Sequence, residues 1–318
     1  MGIKFVIIAL AIISCGTKTR QAEKSTSPLG ELLLKKQAYL DEFSFHQDSD
    51  GWILAGDCDA ALFSGLASAF APSVALLRAR DEGGKWYRRP SKDCYPNHSG
   101  SSISRDMLVG IMFGLYFQGD IDALDSMRRY GKANKWVMGS GSLDRTFFTP
   151  NFQDTLYRLS GKDYKGPPYL WVDPIKDHQR HVVALNIILR GEAQKKIDDS
   201  MFSVLGQLLK SDPDNALFQY GYHRFSDGDQ RNAIKILSDE TLFPQDGPGG
   251  ERCRRWLWER HFSKRNSCPT PEVNTGADFL FMMFLLERSI DVVDTNHDYN
   301  WDHSGHHAKQ TRTDLLLR

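Results

Sequence analysis

The stretch Ser104-Arg-Asp-Met-Leu-Val-Gly-Ile-Met-Phe-Gly-Leu-Tyr-Phe117 decides the fold class of this chain. It opens with a serine, a favourable helix N-cap, and places charges in the first turn, where an acidic group offsets the positive end of the helix dipole. The residues that follow are apolar on almost every side of a helix rather than on one stripe. We therefore predict a helix that is buried over most of its surface.

The stretch from Asp57 to Phe70 repeats this plan, with acidic residues at its start and with Ala61, Phe63 and Leu66 near helical spacing. Further apolar helices with polar starts are predicted within residues 150–159, 177–189, 214–225 and 274–286. Amphipathic helices are predicted between them, within 121–132, 195–210, 230–237 and 251–262, and convincing strand alternation is nearly absent. The chain is predicted to be all-α, with buried and half-exposed helices in alternation.

Successive helix starts lie about 45 residues apart over much of the chain, a period typical of repeated helical hairpins. The steps run from Asp57 to Asp106, from there to Asn151, and from His178 to His223. A closed ring covers its inner helices on nearly every face, which explains strongly apolar helices between amphipathic ones. We predict an (α/α) toroid of five or six helical hairpins that forms a single domain over residues 31–290.

If the inner helices all run the same way, their first residues meet at one mouth of the ring. The sequence places carboxylates and imidazoles at these starts, with two further polar side chains beside them: Asp57, Asp59, Asp106, Asp154, Asp177, His178, His181, His223 and Asp278, with Arg105 and Asn274. Shifted proton affinities and acid–base catalysis are expected in such a group. Any single aspartate is by itself better explained as a helix cap, so the predicted site rests on their collective placement.

Three of these starts carry a resemblance to a known superfamily. Gly56-Asp57-Cys58-Asp59 opens one predicted inner helix, Ser104-Arg105-Asp106 opens the next, and Asn274-Thr275-Gly276-Ala277-Asp278 precedes the last. With these openings, roughly residues 31–290 resemble the six-hairpin (α/α) toroid superfamily of glycosidases and polysaccharide lyases. The resemblance implies that an oligo- or polysaccharide binds in a cleft across the mouth of the ring and is attacked by paired acidic residues.

Paired aspartates suit the hydrolysis of a glycosidic bond. One carboxylic acid protonates the leaving oxygen, and one carboxylate activates water or attacks the sugar. Asp59 and Asp106 are the predicted catalytic pair, because they occupy equivalent early positions of adjacent inner helices, and Asp57 is the reserve candidate. Arg105 is expected to hold a carboxylate in its ionised form or to bind an acidic sugar.

Aromatic side chains near the mouth are candidate sugar-stacking surfaces, since a pyranose presents apolar C–H patches to a ring face. These are Trp52, Trp136, Tyr169 and Trp171, and burial in the core is the alternative for each. Substrate contacts are also predicted for His178, His181, His223 and Asp278. His178 and His181 stand one turn apart, so metal ligation, proton transfer and a structural role all remain open for this pair.

Two alternatives to a hydrolase remain. If the histidines are catalytic, the reaction would be β-elimination of a uronic acid, with a histidine or Tyr222 as base, and the protein would be a polysaccharide lyase. A ring without catalysis would bind a glycan or another component of the cell envelope. No cofactor is predicted, because Gly139-Ser-Gly-Ser142 and Gly247-Pro-Gly-Gly250 lack the strand, lysine and helix of a nucleotide loop. No metal is predicted either, because the stretch from Asp294 departs from the calcium-loop pattern.

The first fourteen residues are predicted to be an export signal. Lys4 precedes an apolar run, Phe5–Ile13, that is shorter than the about 20 residues a membrane-spanning helix needs. Ser14-Cys15 resembles the bacterial lipobox, which implies that Cys15 carries a diacylglyceryl group and anchors the protein to the outer membrane, facing the periplasm or the cell surface. An ordinary cleaved signal and a short apolar N-terminal helix are the alternatives. Residues 15–30 are predicted to be a flexible tether, and residues 291–318 a polar C-terminal tail.

The remaining cysteines are even in number, which suits disulfides in an oxidising compartment. Proximity favours a bond between Cys253 and Cys268, which leaves Cys58 with Cys94. A zinc site and buried free thiols are the alternatives. The 40 basic and 40 acidic residues balance, so no net field favours nucleic acid, and none is predicted as a partner.

Overall fold

The computed structural model of the protein describes residues 28–43, 47–53, 58, 60–71, 74–92, 94, 101–141, 144–166, 180–238, 251–252, 272–273 and 276–293. These residues are mostly helical, in agreement with the predicted all-α class. The helices among them are α1 (Pro28–Phe43), α2 (Ala60–Ala67), α3 (Arg105–Gln118), α4 (Ile121–Ala133), α5 (Pro150–Leu159), α6 (Arg180–Gln194), α7 (Asp199–Ser211), α8 (Ala216–Arg224), α9 (Arg231–Ser238) and α10 (Ala277–Val293). A short 3-10 helix spans Leu76–Ala79.

Two short antiparallel strand pairs accompany the helices. The first pairs β1 (Val137–Ser140) with β2 (Arg145–Phe147), and its register shifts between Val137 and Gly139. The second pairs β3 (Glu251–Arg252) with β4 (Glu272–Val273). Neither pair was predicted, because strands of two to four residues are too short to show alternation.

Five apolar helices make a closed cycle of contacts. α2 packs against α3 and α10, α3 packs against α6, α6 packs against α8, and α8 packs against α10. All eight residues of α2 are buried, as are most residues of α3. The remaining helices are more amphipathic and pack against members of this cycle or against one another: α1 contacts α9 and α10, α4 contacts α3 and α5, and α7 contacts α6 and α8. The predicted buried and half-exposed helices are thus both present, but they alternate only from α5 to α10, because α2 and α3 are consecutive buried helices and α4 and α5 are consecutive amphipathic ones.

The first three helices of the cycle, α10, α2 and α3, run in the same direction. A Cβ atom on Gly110 would lie 2.5 Å from the carbonyl oxygen of Leu62, and one on Gly114 would lie 2.7 Å from that of Gly65, so residue numbers rise together along α2 and α3. On the other side of α3, the ring centroids of Phe113 and Phe281 are 4.9 Å apart, and Phe117 meets Phe284 one turn later.

The other two helices, α6 and α8, share this direction. His181 and Asn215 meet at their starts, with 3.0 Å between the Nε2 and Nδ2 atoms. Near their ends, the Nε of Arg224 donates to Oε1 of Glu192 over 2.8 Å. The Tyr116 hydroxyl at the end of α3 donates to the carbonyl of Glu192 over 3.2 Å. All five helices thus begin at one end of the cycle, called here the helix-start end, and finish at the other.

Three local predictions differ from the structure. α5 was predicted to be one of the buried helices, but it is amphipathic and packs mainly against its neighbours α4 and α6, because its buried apolar residues Phe152, Leu156 and Leu159 share one face. α2 is shorter than the predicted 57–70 helix, and its last residue is Ala67. α1 was not predicted; it starts at Pro28, inside the expected tether, and buries Leu32 and Tyr39.

The ends of the chain lie outside the described residues. The predicted signal peptide, Cys15 and most of the tether precede Pro28, and nearly all of the predicted tail follows Val293. Among the helices that are described, none combines the length and the apolarity needed to cross a membrane.

Candidate functional site

Asp106 lies in the first turn of α3 at the helix-start end. Asp106 is only 6 % exposed, and its Oδ1 accepts a hydrogen bond from the hydroxyl of Ser104. Ser104 occupies the N-cap position, but its oxygen does not accept from a helix N–H group. The serine therefore orients the carboxylate of Asp106 instead of closing the helix. This carboxylate also gains from the positive end of the α3 dipole.

Arg105 stands beside Asp106 and is half-buried. Within the described part of the chain, its guanidinium makes no ion pair with a carboxylate. An arginine in this position can therefore receive an anion without first breaking an internal salt bridge. The predicted roles for Arg105 were to hold a carboxylate ionised or to bind an acidic sugar, and its lack of a carboxylate partner fits the second.

A strap of chain around Arg88 fastens the start of α2 to the start of α3. The backbone carbonyl of Arg88 accepts from the N–H of Ala61 over 2.8 Å, and its own N–H donates to the carbonyl of Ser102 over 3.1 Å. The side chain adds a bond from Nε to the carbonyl of Ser101, at 3.0 Å. The two helix starts that carry the predicted catalytic pair are thus held together by hydrogen bonds to a single residue.

A disulfide joins Cys58 to Cys94 in the same region, with 5.9 Å between the Cα atoms. Cys58 lies two positions before α2, and Cys94 lies six positions after Arg88, so the disulfide links the chain before α2 to the strap. The predicted pairing of these two cysteines is confirmed, whereas Cys253 and Cys268 lie outside the described residues. Asp57 and Asp59, which flank Cys58 in sequence, also lie outside them, so their predicted catalytic roles stay predictions.

His181 links the start of α6 to the start of α8. Its imidazole is buried, meets the Asn215 side chain, and stacks on the ring of Phe218 with 5.2 Å between centroids. Asn215 in turn caps α8, since its Oδ1 accepts from the N–H groups of Leu217 and Phe218. This arrangement fits a structural histidine more closely than a substrate contact. His178, its predicted partner, lies outside the described residues.

Asp278 lies in the first turn of α10, at the helix-start end. It is fully buried, and its Oδ1 accepts from the N–H of Phe279 over 3.1 Å. The starts of α3, α6, α8 and α10 therefore carry Asp106, His181, Asn215 and Asp278, of which His181 and Asn215 are in contact. Among the described residues, no group of three potential ligands could hold a metal ion.

The structure places Trp52 in the core rather than on a sugar-binding surface. The residue is 1 % exposed, and its Nε1 donates to the carbonyl of Ala75 over 2.9 Å. This corrects the prediction that it stacks on a sugar, because a ring without exposed surface cannot receive one. Trp52 is enclosed by apolar residues of the core, and the local sequence does not show this tertiary packing.

His223 also lies elsewhere than predicted. It occupies the last turn of α8, and its Nδ1 lies 2.9 Å from Oδ1 of Asp227, so it belongs to the opposite end from Asp106. Two hydrogen bonds lower the pKa of Asp227: the larger effect comes from the backbone N–H of Asp229, and the next from the side chain of His223. Tyr222, the predicted lyase base, lies beside it and stacks on Phe202 of α7. His181 and Tyr222, which were predicted as alternative bases for elimination, therefore lie at different ends of the described helices.

The opposite end holds a buried pair of charges. Glu192 is buried and pairs with Arg224, and Tyr116 and Tyr220 lie around this pair. Burial, and then the charge of Glu192, raises the pKa of Tyr116, and the same two causes raise that of Tyr220. Both phenols therefore stay protonated at neutral pH, and neither suits the role of a general base.

The β1–β2 hairpin is part of the helix-start end, although the sequence did not predict it. The hydroxyl of Thr146 donates to the carbonyl of Ile103 over 2.6 Å, and the N–H of Ser102 donates to the carbonyl of Ser140 over 3.4 Å. These bonds place the hairpin against the segment that leads into α3. Trp136 lies just before β1, half-buried, with its ring centroid 6.0 Å from that of Tyr157.

Tyr169 and Trp171 lie outside the described residues, so their predicted role in sugar stacking stays a prediction. Comparison with known proteins adds no assignment: no protein family, no curated protein and no solved structure matches this chain.

Proposed function

We propose that this protein is an exported carbohydrate-active enzyme, a glycoside hydrolase whose Asp59 and Asp106 attack a glycan at the mouth of an (α/α) toroid. The observation that carries the proposal is the shared direction of α2, α3, α6, α8 and α10, which places the starts of these helices at one end of the cycle. The closed cycle of contacts among these helices supports the toroid. In this proposal Cys15 carries the lipid that anchors the enzyme to the outer membrane.

Asp59 and Asp106 would divide the work of hydrolysis between them. One carboxylic acid protonates the glycosidic oxygen, and the other carboxylate activates water or attacks the sugar. The strap around Arg88 supports this pairing, because it holds the starts of α2 and α3 side by side. Arg105, which has no carboxylate partner among the described residues, is positioned to bind a negative group on the sugar.

Replacing each aspartate by asparagine tests the proposal. We expect Asp106→Asn and Asp59→Asn each to lower kcat on the cleaved glycan by at least about 100-fold, because each removes an acid or base from the reaction. Glycan affinity should remain, since the shape of the side chain is preserved. Asp122→Asn is the matched control: Asp122 also lies in a first turn, but that of α4, and it is exposed.

The products separate a hydrolase from a lyase. Hydrolysis adds one water to the glycan, whereas β-elimination leaves an unsaturated uronic acid that absorbs ultraviolet light. Mass spectrometry of the products therefore identifies the reaction. Unchanged turnover in both variants would refute the assignment of Asp59 and Asp106.

A glycan-binding protein without catalysis is the second candidate. The observation that favours it is burial: Asp106 is 6 % exposed and Asp278 is fully buried, so both carboxylates also serve the packing of their helices. Binding of glycans without any cleavage by the wild-type protein would select this candidate.

The lipid anchor is tested separately. Cys15→Ala should move the protein from the membrane fraction to the soluble fraction, and mass spectrometry of the mature N-terminal peptide should find a diacylglyceryl adduct on the wild-type cysteine. An unmodified Cys15 would overturn this part of the proposal.

A further inference from the structure

The β1–β2 hairpin turns one face toward solvent and the other toward the start of α3. Along β2, Thr146 is buried, whereas Arg145 and Phe147 on either side of it are exposed. Phe147 is 49 % exposed, one of the few large apolar side chains with so much open surface in the described part of the chain. Because side chains alternate along a strand, Arg145 and Phe147 project from the same face.

The partner strand extends this exposed face. Val137 pairs with Phe147, and Ser140 pairs with Arg145, so the two residues of each pair lie side by side across the hairpin. Val137 is half-buried and Ser140 is exposed. The face therefore carries an apolar half, Phe147 with Val137, and a polar half, Arg145 with Ser140. We call these four residues the hairpin platform.

The buried face fixes the platform next to the proposed catalytic end. Thr146 donates to the carbonyl of Ile103 and also meets the hydroxyl of Ser101 at 3.0 Å. Gly139 lies so close to this segment that a Cβ atom on it would be 2.6 Å from the Ile103 carbonyl oxygen. Ile103 precedes Asp106 by three residues, so the platform and the candidate carboxylate belong to one continuous region.

Two arginine side chains of this region, Arg105 and Arg145, are candidates to bind an anion. Within the part of the chain that the structure describes, neither Arg145 nor Arg105 makes an ion pair through its side chain. In contrast, Arg158 and Arg190 both pair with the buried carboxylate of Asp154, and Arg224 pairs with Glu192. Two arginines near the same helix start thus keep their hydrogen-bond donors for a ligand, beside an exposed aromatic ring.

We infer that the hairpin platform is a binding subsite for an acidic glycan, in which Phe147 stacks on a sugar ring and Arg145 binds a carboxylate of the same or the next sugar. A phenyl ring presents a flat apolar face that fits the C–H surface of a pyranose. The guanidinium forms paired hydrogen bonds with a carboxylate. This inference rests on the proposed function and names its substrate class: a uronic-acid glycan.

The test measures affinity rather than turnover, with two matched probes: uronic-acid oligosaccharides and the same oligosaccharides after reduction of their carboxyl groups. Titration of the full-length protein should give tighter binding of the acidic probe. Arg145→Ala should weaken binding of the acidic probe by about tenfold, the loss expected for a charge-assisted hydrogen bond. It should leave binding of the reduced probe unchanged, and Arg145→Lys should restore part of the loss.

Phe147→Ala should weaken binding of both probes to a similar extent, because stacking does not depend on the carboxylate, and Phe147→Tyr should retain it. Both side chains are exposed, so these variants should unfold at the wild-type temperature. Arg129→Ala, an exposed arginine on α4, is the control for loss of one surface charge. A short DNA duplex tests whether any polyanion binds, and we expect it to compete poorly.

The outcomes separate this inference from the proposed function. If the wild-type protein binds or cleaves glycans and the Arg145 and Phe147 variants bind both probes as tightly, the subsite is refuted and the proposed function stands. Equal binding of the two probes by the wild-type protein, or equal competition by DNA, also refutes it. If the wild-type protein binds no glycan at all, both the subsite and the proposed function fail.

Discussion

Gly65 and Gly110 let α2 and α3 meet backbone to backbone. A Cβ atom on Gly65 would lie 2.2 Å from the carbonyl carbon of Gly110, and one on Gly110 would lie 2.5 Å from the oxygen of Leu62. Both obstacles are backbone atoms, which cannot move aside without separating the helices. Glycine is therefore required at these positions by the close approach of the two helices, and the same approach brings Asp106 next to the start of α2.

We expect Gly110→Ala to lower the free energy of unfolding by about 1–3 kcal/mol, the usual cost of forcing extra volume into a packed core. The measurement is chemical denaturation followed by circular dichroism. Gly206→Ala in α7 is the matched control, because its nearest neighbour is the Tyr222 ring at 3.5 Å, an ordinary contact. That change should be neutral or stabilise by up to about 1 kcal/mol, as alanine favours a helix interior over glycine. Equal losses in the two variants would contradict the close-approach argument.

At the scale of elements, the described helices begin with locally recognisable signals. Asp120 caps α4 by accepting from the N–H of Ala123, and Asp198 caps α7 by accepting from Met201. Ahead of α9, Oδ1 of Asp229 accepts from the N–H of Arg231, and both its oxygens accept from the guanidinium of the same residue. The side-chain bond with Arg231 is the largest cause that lowers the pKa of Asp229, from 3.8 to about 2.

This shift predicts how the stability of the α9 start depends on pH. A carboxylate whose folded pKa is depressed stabilises the protein above its unfolded pKa and loses that contribution as pH falls through the folded value. Asp229→Asn should therefore destabilise at pH 7 by less than about 1 kcal/mol, because the pair is exposed and screened. The difference from wild type should shrink between pH 4 and about 2. Unfolding measured across this range tests it.

Arg231→Gln provides the control for this prediction. Without the guanidinium, the pKa of Asp229 should rise toward its ordinary value, which nuclear magnetic resonance titration measures directly. High salt should reduce the wild-type effect in the same way. A pKa that stays near 2 in this variant would show that the backbone N–H, and not the arginine, holds it down.

At the scale of the whole molecule, α10 closes the cycle of contacts, since it packs against both α2 and α8. Its buried face includes Phe279 and Phe281, and Phe281 meets Phe113 of α3 edge to face. Residues near the end of the described chain therefore complete a core that begins with α2. Such contacts between distant parts of the chain favour unfolding as one cooperative unit.

Phe281→Ala should cost about 3–5 kcal/mol, as is typical for truncation of a fully buried phenylalanine. Tryptophan fluorescence and far-ultraviolet circular dichroism should lose signal together, because the cycle opens as a unit. Phe284→Ala in the same helix is the control: Phe284 is only half-buried, so its removal should cost less. Separate transitions for the two signals would contradict a single cooperative core.

Much of the helical structure follows from local signals in the sequence. The predictions for α3, α4 and α8 agree with the structure within a few residues, because caps, dipole-compensating charges and apolar periodicity act within one or two turns. The placement of Asp106, His181 and Asp278 near helix starts was also predicted, since it depends only on where each helix begins. The amphipathic α1 was missed because its start lies within a polar stretch.

The sequence by itself determined most of the helical segments, most of the buried ones, and that several of their polar starts contain acid and base groups, because these properties depend on neighbours within a few residues. Only the tertiary structure decided that Trp52 is enclosed, that His223 lies at the far end of α8, and that the β1–β2 hairpin stands beside Asp106. The reason is physical: those outcomes depend on packing between residues tens of positions apart, and no local pattern encodes which of two faces or ends such a contact will use.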